Sequence, residues 1–317
     1  MLDGGCTERY LDEPHTLAPM RSRRIAPVIT SLLACAVLTA CIRIAPAGGG
    51  VARPTLVAEV DGFSGPEAVR YDPDQDIFFV ANFNGPGSRV DDDGFISRMR
   101  PDGTVEQLRF IAGGVDGVTL HAPRGMVITG DTLWAVDVDA MRGFNRRTGA
   151  PLATISFAGT DVGFLNDITQ GPDGALYVTD TGRNRIHRIE HGRATLALSD
   201  TLLGGPNGIT WDHASADLIV VSWNRPAMFA WLPGTSELRV IGESATGRRF
   251  DGVEVRADGS ILVASQADSS IHVFRSRTGE PLFHVQGAPA DIAWDSRRNR
   301  VAVPYIARNR VEIFQLP

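Results

Sequence analysis

The chain has 317 residues, 43% of them hydrophobic and 21% charged, enough apolar material for a sizeable core and unlike the composition of a disordered chain. Its 34 Gly and 19 Pro fall short of low-complexity sequence and read as turns between many short elements, which favours β structure. The formal charge is -6 and all 31 basic residues are Arg, which excludes Schiff-base lysine chemistry and the phosphate-gripping lysine of a P-loop, and leaves a nucleic-acid surface without support.

In chain order, Arg21, Arg23 and Arg24 precede an uncharged, mostly apolar run from Ile25 to Ala40. That run is short for a membrane span but right for the core of an export signal. It ends Leu38-Thr39-Ala40-Cys41, which resembles the lipobox of bacterial lipoproteins, in which the Cys is lipidated and becomes the mature N-terminus. Residues 1–40 are therefore expected to be a signal peptide, and residues 41–53 a lipidated Cys41 followed by a flexible tether. Met1 to Pro19 lacks the look of a signal n-region, which makes Met20 an alternative start. Cys6 and Cys35 would leave with the signal, so no structural disulfide is expected. The implied location is the bacterial cell envelope, with membrane contact through the lipid alone.

From residue 54 onward the sequence repeats. An orphan strand, Thr55 to Val60, precedes six units that begin Gly65-Pro66-Glu67, Ala122-Pro123-Arg124, Phe164-Leu165-Asn166, Gly205-Pro206-Asn207, Arg249-Phe250-Asp251 and Ala288-Pro289-Ala290. The third residues of these starts are 57, 42, 41, 44 and 39 positions apart, close to the spacing of four-stranded propeller blades. The long first interval holds an insertion, Asn82 to Gly94, with Asp91-Asp92-Asp93, expected as an acidic solvated loop or a rim over the channel. Second strands are expected over 76–80, 132–136, 175–179, 217–221, 260–264 and 299–303. The last unit stops after its third strand, so the orphan strand is expected to complete it. Residues 54–317 thus read as one all-β domain, a six-bladed β-propeller closed by its N-terminal strand.

In a propeller the first strand of every blade lines the central channel, so the six equivalent residues Glu67, Arg124, Asn166, Asn207, Asp251 and Ala290 converge at one mouth. Four blades supply an oxygen donor, and none supplies His or Cys. Glu67, Asn166, Asn207 and Asp251 are therefore candidate ligands of one divalent metal, for which Ca²⁺ is the best match, Mg²⁺ or Mn²⁺ next and Zn²⁺ least natural. Asn207-Gly208 and Asp251-Gly252 are also common turn dipeptides, so each alone reads as a turn former and only the ring as a whole reads as a metal site.

With these motifs the chain resembles the regucalcin and gluconolactonase family of six-bladed propellers, which includes sugar-lactone hydrolases. The resemblance spans residues 54–317 and rests on Glu67, Asn166-Asp167, Asn207-Gly208 and Asp251-Gly252. It implies a single metal held by Glu67, Asn207 and Asp251, with the Asn166-Asp167 pair meeting substrate or metal. Sugar lactonases of the family often carry an Arg where this chain has Phe164, a departure that weakens the case for a polyhydroxylated substrate and makes Phe164 a candidate substrate contact.

Arg124 enters the ring from the second blade, either to bind a substrate carboxylate or developing oxyanion, or to form a channel salt bridge with Glu67 or Asp251. His121 lies three residues earlier and is a further candidate at the mouth, although a lone His is more often a packing residue. Asp251 is the preferred general base, with Arg124 as its catalytic partner. Asp167 and Asp291 are expected to bond loop backbone, whereas Asn82, Asp137 and Asp180 should rise to the same mouth. No Gly-x-Ser-x-Gly elbow occurs and the seven His form no metal-like cluster.

The expected function is metal-dependent hydrolysis of a small lactone or related ester in the channel of a lipid-anchored propeller. The competing expectation is a non-enzymatic propeller that binds a protein or glycan at the envelope. For it speaks Asp180-Thr181-Gly182-Arg183-Asn184, which looks like the structural Asp-rich loop of NHL-type repeats.

Overall fold

Every repeat resolves into consecutive antiparallel strands, as its apolar runs and Asp-Gly turns dictate. The computed structural model describes residues 53–317; the export segment and Cys41 lie outside the described residues. Strand β1 (Thr55–Asp61) comes first. The first unit is β2 (Pro66–Asp72), β3 (Ile77–Asn82), β4 (Phe95–Met99) and β5 (Val105–Ala112). The second is β6 (Met126–Thr129), β7 (Thr132–Val136), β8 (Ala140–Asn145) and β9 (Pro151–Ser156). The third is β10 (Leu165–Gln170), β11 (Leu176–Asp180), β12 (Arg185–Glu190) and β13 (Arg193–Ser199). Next come β14 (Pro206–Trp211), β15 (Leu218–Ser222), β16 (Ala227–Trp231) and β17 (Leu238–Ser244). The fifth is β18 (Phe250–Val255), β19 (Ile261–Ser265), β20 (Ser270–Phe274) and β21 (Thr278–His284).

The last stretch adds only β22 (Ala293–Asp295), β23 (Arg300–Tyr305) and β24 (Arg310–Gln315). Strand β1 pairs antiparallel with β24, Val60 opposite Val311, and supplies the fourth strand of that sheet. One departure from separate units is a short parallel pairing of β17 with β21, Glu243 opposite Thr278, which joins the fourth and fifth units into one eight-stranded sheet. Most second strands begin a residue later than expected, because Asp76 and Asn299 take φ of 55° and 54° and end turns rather than start strands. Glycine serves the Asp-Gly turns directly: Gly103, Gly174 and Gly259 have φ of 91°, 79° and 79°, and the preceding Asp carboxylate accepts from the backbone two residues on.

Six clusters of buried apolar side chains lie between successive units. One joins β2–β5 to β6–β9 through Phe79, Ile96, Met126 and Phe144. Another joins the sheet of β1 and β22–β24 back to the first unit through Val60, Phe78, Val311 and Ile313. The remaining four connect the units in between. First strands touch in the same order, β2 with β6, β6 with β10, β10 with β14, β14 with β18, β18 with β22 and β22 with β2. Strand β3 is buried along its whole length, so its sequence is nearly all apolar rather than alternating. Among the described residues no helix is long and apolar enough to cross a membrane.

Candidate active site

The oxygen donors are aimed inward by one repeated irregularity. In β2, β10, β14 and β18 the pairing with the second strand slips at the ring position, between Pro66 and Ala68, Leu165 and Ile168, Pro206 and Ile209, and Phe250 and Val253. The slipped residues are Glu67, Asn166-Asp167, Asn207-Gly208 and Asp251-Gly252, and such bulges re-aim side chains at a site. Asn207 and Asp251 therefore sit within strands, not in the turns that their following Gly suggests. A Cβ on Gly208 would strike the Asp251 carbonyl oxygen, and one on Gly252 would strike the Ile292 backbone N, so glycine permits the close approach of neighbouring first strands.

Glu67, Asn166, Asn207 and Asp251 line one cavity of about 390 Å³, together with Phe83, Phe164, Thr181, Trp223, Gln266 and Ile306. All four donors are buried. Glu67 Oε2 and Asn207 Oδ1 have no hydrogen-bond partner, whereas Asp251 accepts from Gln266 Nε2 at 2.5 Å and Asn166 Nδ2 donates to Thr181 Oγ1 at 3.2 Å. Burial holds Glu67 well above the usual carboxylate range, and the neighbouring Asp251 raises it further. Asp251 is pushed up to about 7, chiefly by burial.

Beneath them lies a charged layer that sequence reasoning missed. Arg70 donates to Glu254 at 2.9 Å and lies 3.8 Å from Asp291. Burial raises Asp167 to about 6, Glu254 to about 7 and Asp291 well above its ordinary value, the last also through Asp167. Arg70 and Glu254 each stand three residues after a ring position, so the alignment of repeats that located Glu67 and Asp251 also held the signal for this layer. Asp167 does bond backbone, but of strands β10 and β14 rather than of a loop, its carboxylate accepting from Ile168 N at 2.7 Å and Ile209 N at 2.8 Å. Asp291 does not; its side chain turns to Arg70 instead of loop backbone, and its Oδ2 has no hydrogen-bond partner.

Arg124 precedes β6 and is 1% exposed. Its guanidinium carbon lies 4.1 Å from the Phe164 ring centroid and 5.7 Å from that of Phe83, and one terminal nitrogen donates to the Gly87 carbonyl in the insertion. No carboxylate among the described residues comes within salt-bridge distance, while Nε and the other terminal nitrogen are buried without partners. The cation thus stands near Glu67 without pairing to it, behind Phe83 and Phe164 and not among the residues that line the cavity, contrary to the expected substrate contact, and burial lowers its proton affinity.

His121 does not line the cavity. Its Nδ1 accepts from Asp92 N at 3.0 Å, and Asp92 Oδ1 accepts from Leu120 N at 2.6 Å, so this pair ties the insertion down beside Arg124.

Asn82, Asp137 and Asp180 are fully buried scaffold. Each accepts from the backbone of the loop that leads into its own first strand: Asn82 from Ser64, Asp137 from His121 and Ala122, Asp180 from Gly163 and Phe164. Two His-containing clusters also emerge that the sequence did not reveal. His121, Asp137 and Asp139 lie within metal-ligating distance of one another, yet Arg142 bridges the two carboxylates. Ser244 and Asp268 flank the buried His272 at 3.3 and 2.9 Å, where the Ser244 hydroxyl also accepts from Gly247 N and serves a turn.

The cavity rim is a second repeated position, again unread in the sequence. Phe83, Thr181, Trp223, Gln266 and Ile306 each follow the last residue of β3, β11, β15, β19 and β23, and they stand over the donors.

Solved structures with a similar fold include a gluconolactonase from Xanthomonas campestris, 18% identical with a TM-score of 0.63 over 84% of this chain and 91% of that one. Virginiamycin B lyase from Staphylococcus aureus is 14% identical, with a TM-score of 0.62 over 84% of this chain and all of the other. A streptogramin B lyase is 14% identical, with a TM-score of 0.61 over 83% and 98%. No protein-family model and no curated protein matches the chain. The fold is a β-propeller like that of gluconolactonases. At these identities the likeness is one of fold, and chemistry has to be argued from the cavity itself.

Proposed function

We propose that the 24 strands form a six-bladed propeller closed by β1, and that its cavity is the active site of a divalent-cation-dependent hydrolase of lactones or related esters. One observation carries the reading. Glu67 Oε2 and Asn207 Oδ1 are buried without partners on the cavity that Asn166 and Asp251 share, an arrangement that costs stability unless a cation completes it. The donor set is all oxygen, which suits Ca²⁺ best. Mutual repulsion among the raised carboxyls points the same way, because a bound positive charge would relieve it.

Glu67, Asn166, Asn207 and Asp251 would hold the ion, which when bound polarises a substrate carbonyl and acidifies a water. Asp251, steadied by Gln266 Nε2, takes a proton from the water that attacks the acyl carbon. The acyl–oxygen bond then breaks and the leaving alkoxide recovers that proton. Arg124, held behind Phe164 and Phe83 by the Gly87 carbonyl, acts through its nearby positive charge, which favours negative charge that develops on the substrate. The proposal extends to location: residues 1–40 direct export and Cys41 carries a lipid anchor at the bacterial envelope, which Cys41→Ser would release from membranes.

Purified protein assayed on a panel of lactones and aryl esters, with Ca²⁺ and then with chelator, tests the activity. Turnover that chelation abolishes and Ca²⁺ restores supports the hydrolase. Cation binding with no turnover of any panel member would favour the binding-scaffold alternative.

A further inference from the structure

The cavity walls differ in kind from its floor. Of the ten lining residues, Glu67, Asn166, Asn207 and Asp251 are the donors already assigned. Two further polar residues are engaged with protein: Thr181 Oγ1 donates to the Pro206 carbonyl at 2.7 Å and accepts from Asn166, and Gln266 Nε2 donates to Asp251. The rest are Phe83, Phe164, Trp223 and Ile306. Three of these are rings with an arginine over the face, Arg124 near Phe83 and Phe164, and Arg249 at 5.8 Å from the Trp223 centroid. Phe164, which stands where related sugar lactonases often have Arg, is 38% exposed despite its size.

A substrate with several hydroxyls would surrender water from each of them and find few partners on such walls, whereas an apolar substituent would gain from the same burial. At about 390 Å³ the space suits a small ligand with one polar end and an apolar body. We propose that the site takes lactones or esters bearing an alkyl or aryl substituent, with the acyl carbonyl at the oxygen-donor floor and the substituent against Phe83, Phe164, Trp223 and Ile306. Polyhydroxylated sugar lactones are disfavoured. The choice of lactone or ester rests on the hydrolase reading, while the preference for an apolar body rests on the walls alone.

The experiment compares one ring size in three forms, unsubstituted, hexyl-substituted and polyhydroxylated, on the full-length protein with Ca²⁺ present. The account expects kcat/KM to rise at least about tenfold from the unsubstituted to the hexyl lactone, and to be lowest for the polyhydroxylated one. Phe164→Ala and Trp223→Ala should each shrink the hexyl advantage, chiefly through KM, and matching thermal midpoints would confirm that both variants fold. A parallel arm measures calorimetric binding of the corresponding unsubstituted and hexyl lactams, which are not hydrolysed under these conditions. Tighter binding of the hexyl lactam, weakened by Trp223→Ala, supports the apolar preference even if no lactone is turned over, and in that case only the hydrolase reading falls. A polyhydroxylated lactone turned over best, or a hexyl lactam bound no more tightly than the unsubstituted one, overturns the proposal.

Discussion

Asp137 and Asp180, at the ends of second strands, and Glu67, Asn207 and Asp251, at the bulges of first strands, are buried to almost the same degree, 0% exposure against 3 to 4%. Their surroundings are opposite. Asp137 accepts from three backbone N–H groups and from Arg142. Burial pushes Asp180 upward, but the nearby His187, 3.5 Å away, and hydrogen bonds from the Phe164 and Gly163 backbone more than offset it and hold the carboxyl below its usual range. Burial drives Glu67 and Asp251 up, the charge of Asp251 raising Glu67 further and that of Asp167 raising Asp251, and Glu67 and Asn207 keep unpartnered oxygens. Burial alone does not distinguish scaffold from site. At Glu67 and Asn207, acceptor capacity left unfilled on the cavity does.

The largest expected effect follows from the site half of this contrast. Asp251→Ala should lower kcat/KM by a factor of about 10² to 10⁴, the range for removal of a general base, with the far-ultraviolet circular dichroism unchanged. A rate that survives the substitution would return Asp251 to the scaffold class. Asp137→Ala should do the reverse. It leaves the His121 and Ala122 N–H groups without their acceptor and the buried Arg142 with Asp139 alone, a loss of roughly 3–5 kcal/mol in urea denaturation. Glu67→Gln in cation-free protein should cost nothing or stabilise, since it removes one of several repelling charges. If Glu67→Gln proves as costly as Asp137→Ala, the two classes are one.

How far this contrast was legible in the sequence follows from what repeats. The spacing of unit starts located the four oxygen donors, Arg124 and the completing strand β1, because closure of each sheet demands a strand that the last unit lacks. It did not separate Asn207-Gly208 and Asp251-Gly252 from ordinary turns, since a bulge and a turn use the same dipeptides and only the pairing of β14 and β18 tells them apart. Asn82, Asp137 and Asp180 do rise to the end of the first strands that carries the ring, and there they serve the loops that lead into those strands. Phe83, Trp223 and Ile306 went unread because search for donors overlooks apolar residues, although they occupy one repeated position. The joining of β17 to β21 depends on two short edges meeting in space, for which the repeat carries no mark.

Acidity sharpens the comparison at smaller amplitude. Asp167, Asp251 and Glu254 have folded-state values raised to about 6, 7 and 7, so the folded state holds their protons more tightly than the unfolded chain does. Their contribution is complete below about pH 4 and is lost as pH climbs through 6 to 7. Metal-free protein should therefore melt at progressively lower temperature between pH 4.5 and about pH 7.5, with roughly 4 kcal/mol as an upper bound for Asp251 alone. Saturating Ca²⁺ should flatten that decline. Stability that instead rises across this window without cation would mean that the ring carboxyls are already compensated.

The central claim, that Glu67, Asn166, Asn207 and Asp251 form a cation site in which the Glu67 and Asn207 oxygens stand unfilled, is tested most directly by calorimetric titration of Ca²⁺ into chelator-stripped protein. One equivalent should bind, at a hundredfold excess over Kd it should add about 2.7 kcal/mol of stability, and both effects should vanish in Glu67→Gln and Asp251→Asn while surviving Asp139→Asn. No heat at millimolar Ca²⁺, or binding that persists in both ring variants, would contradict it.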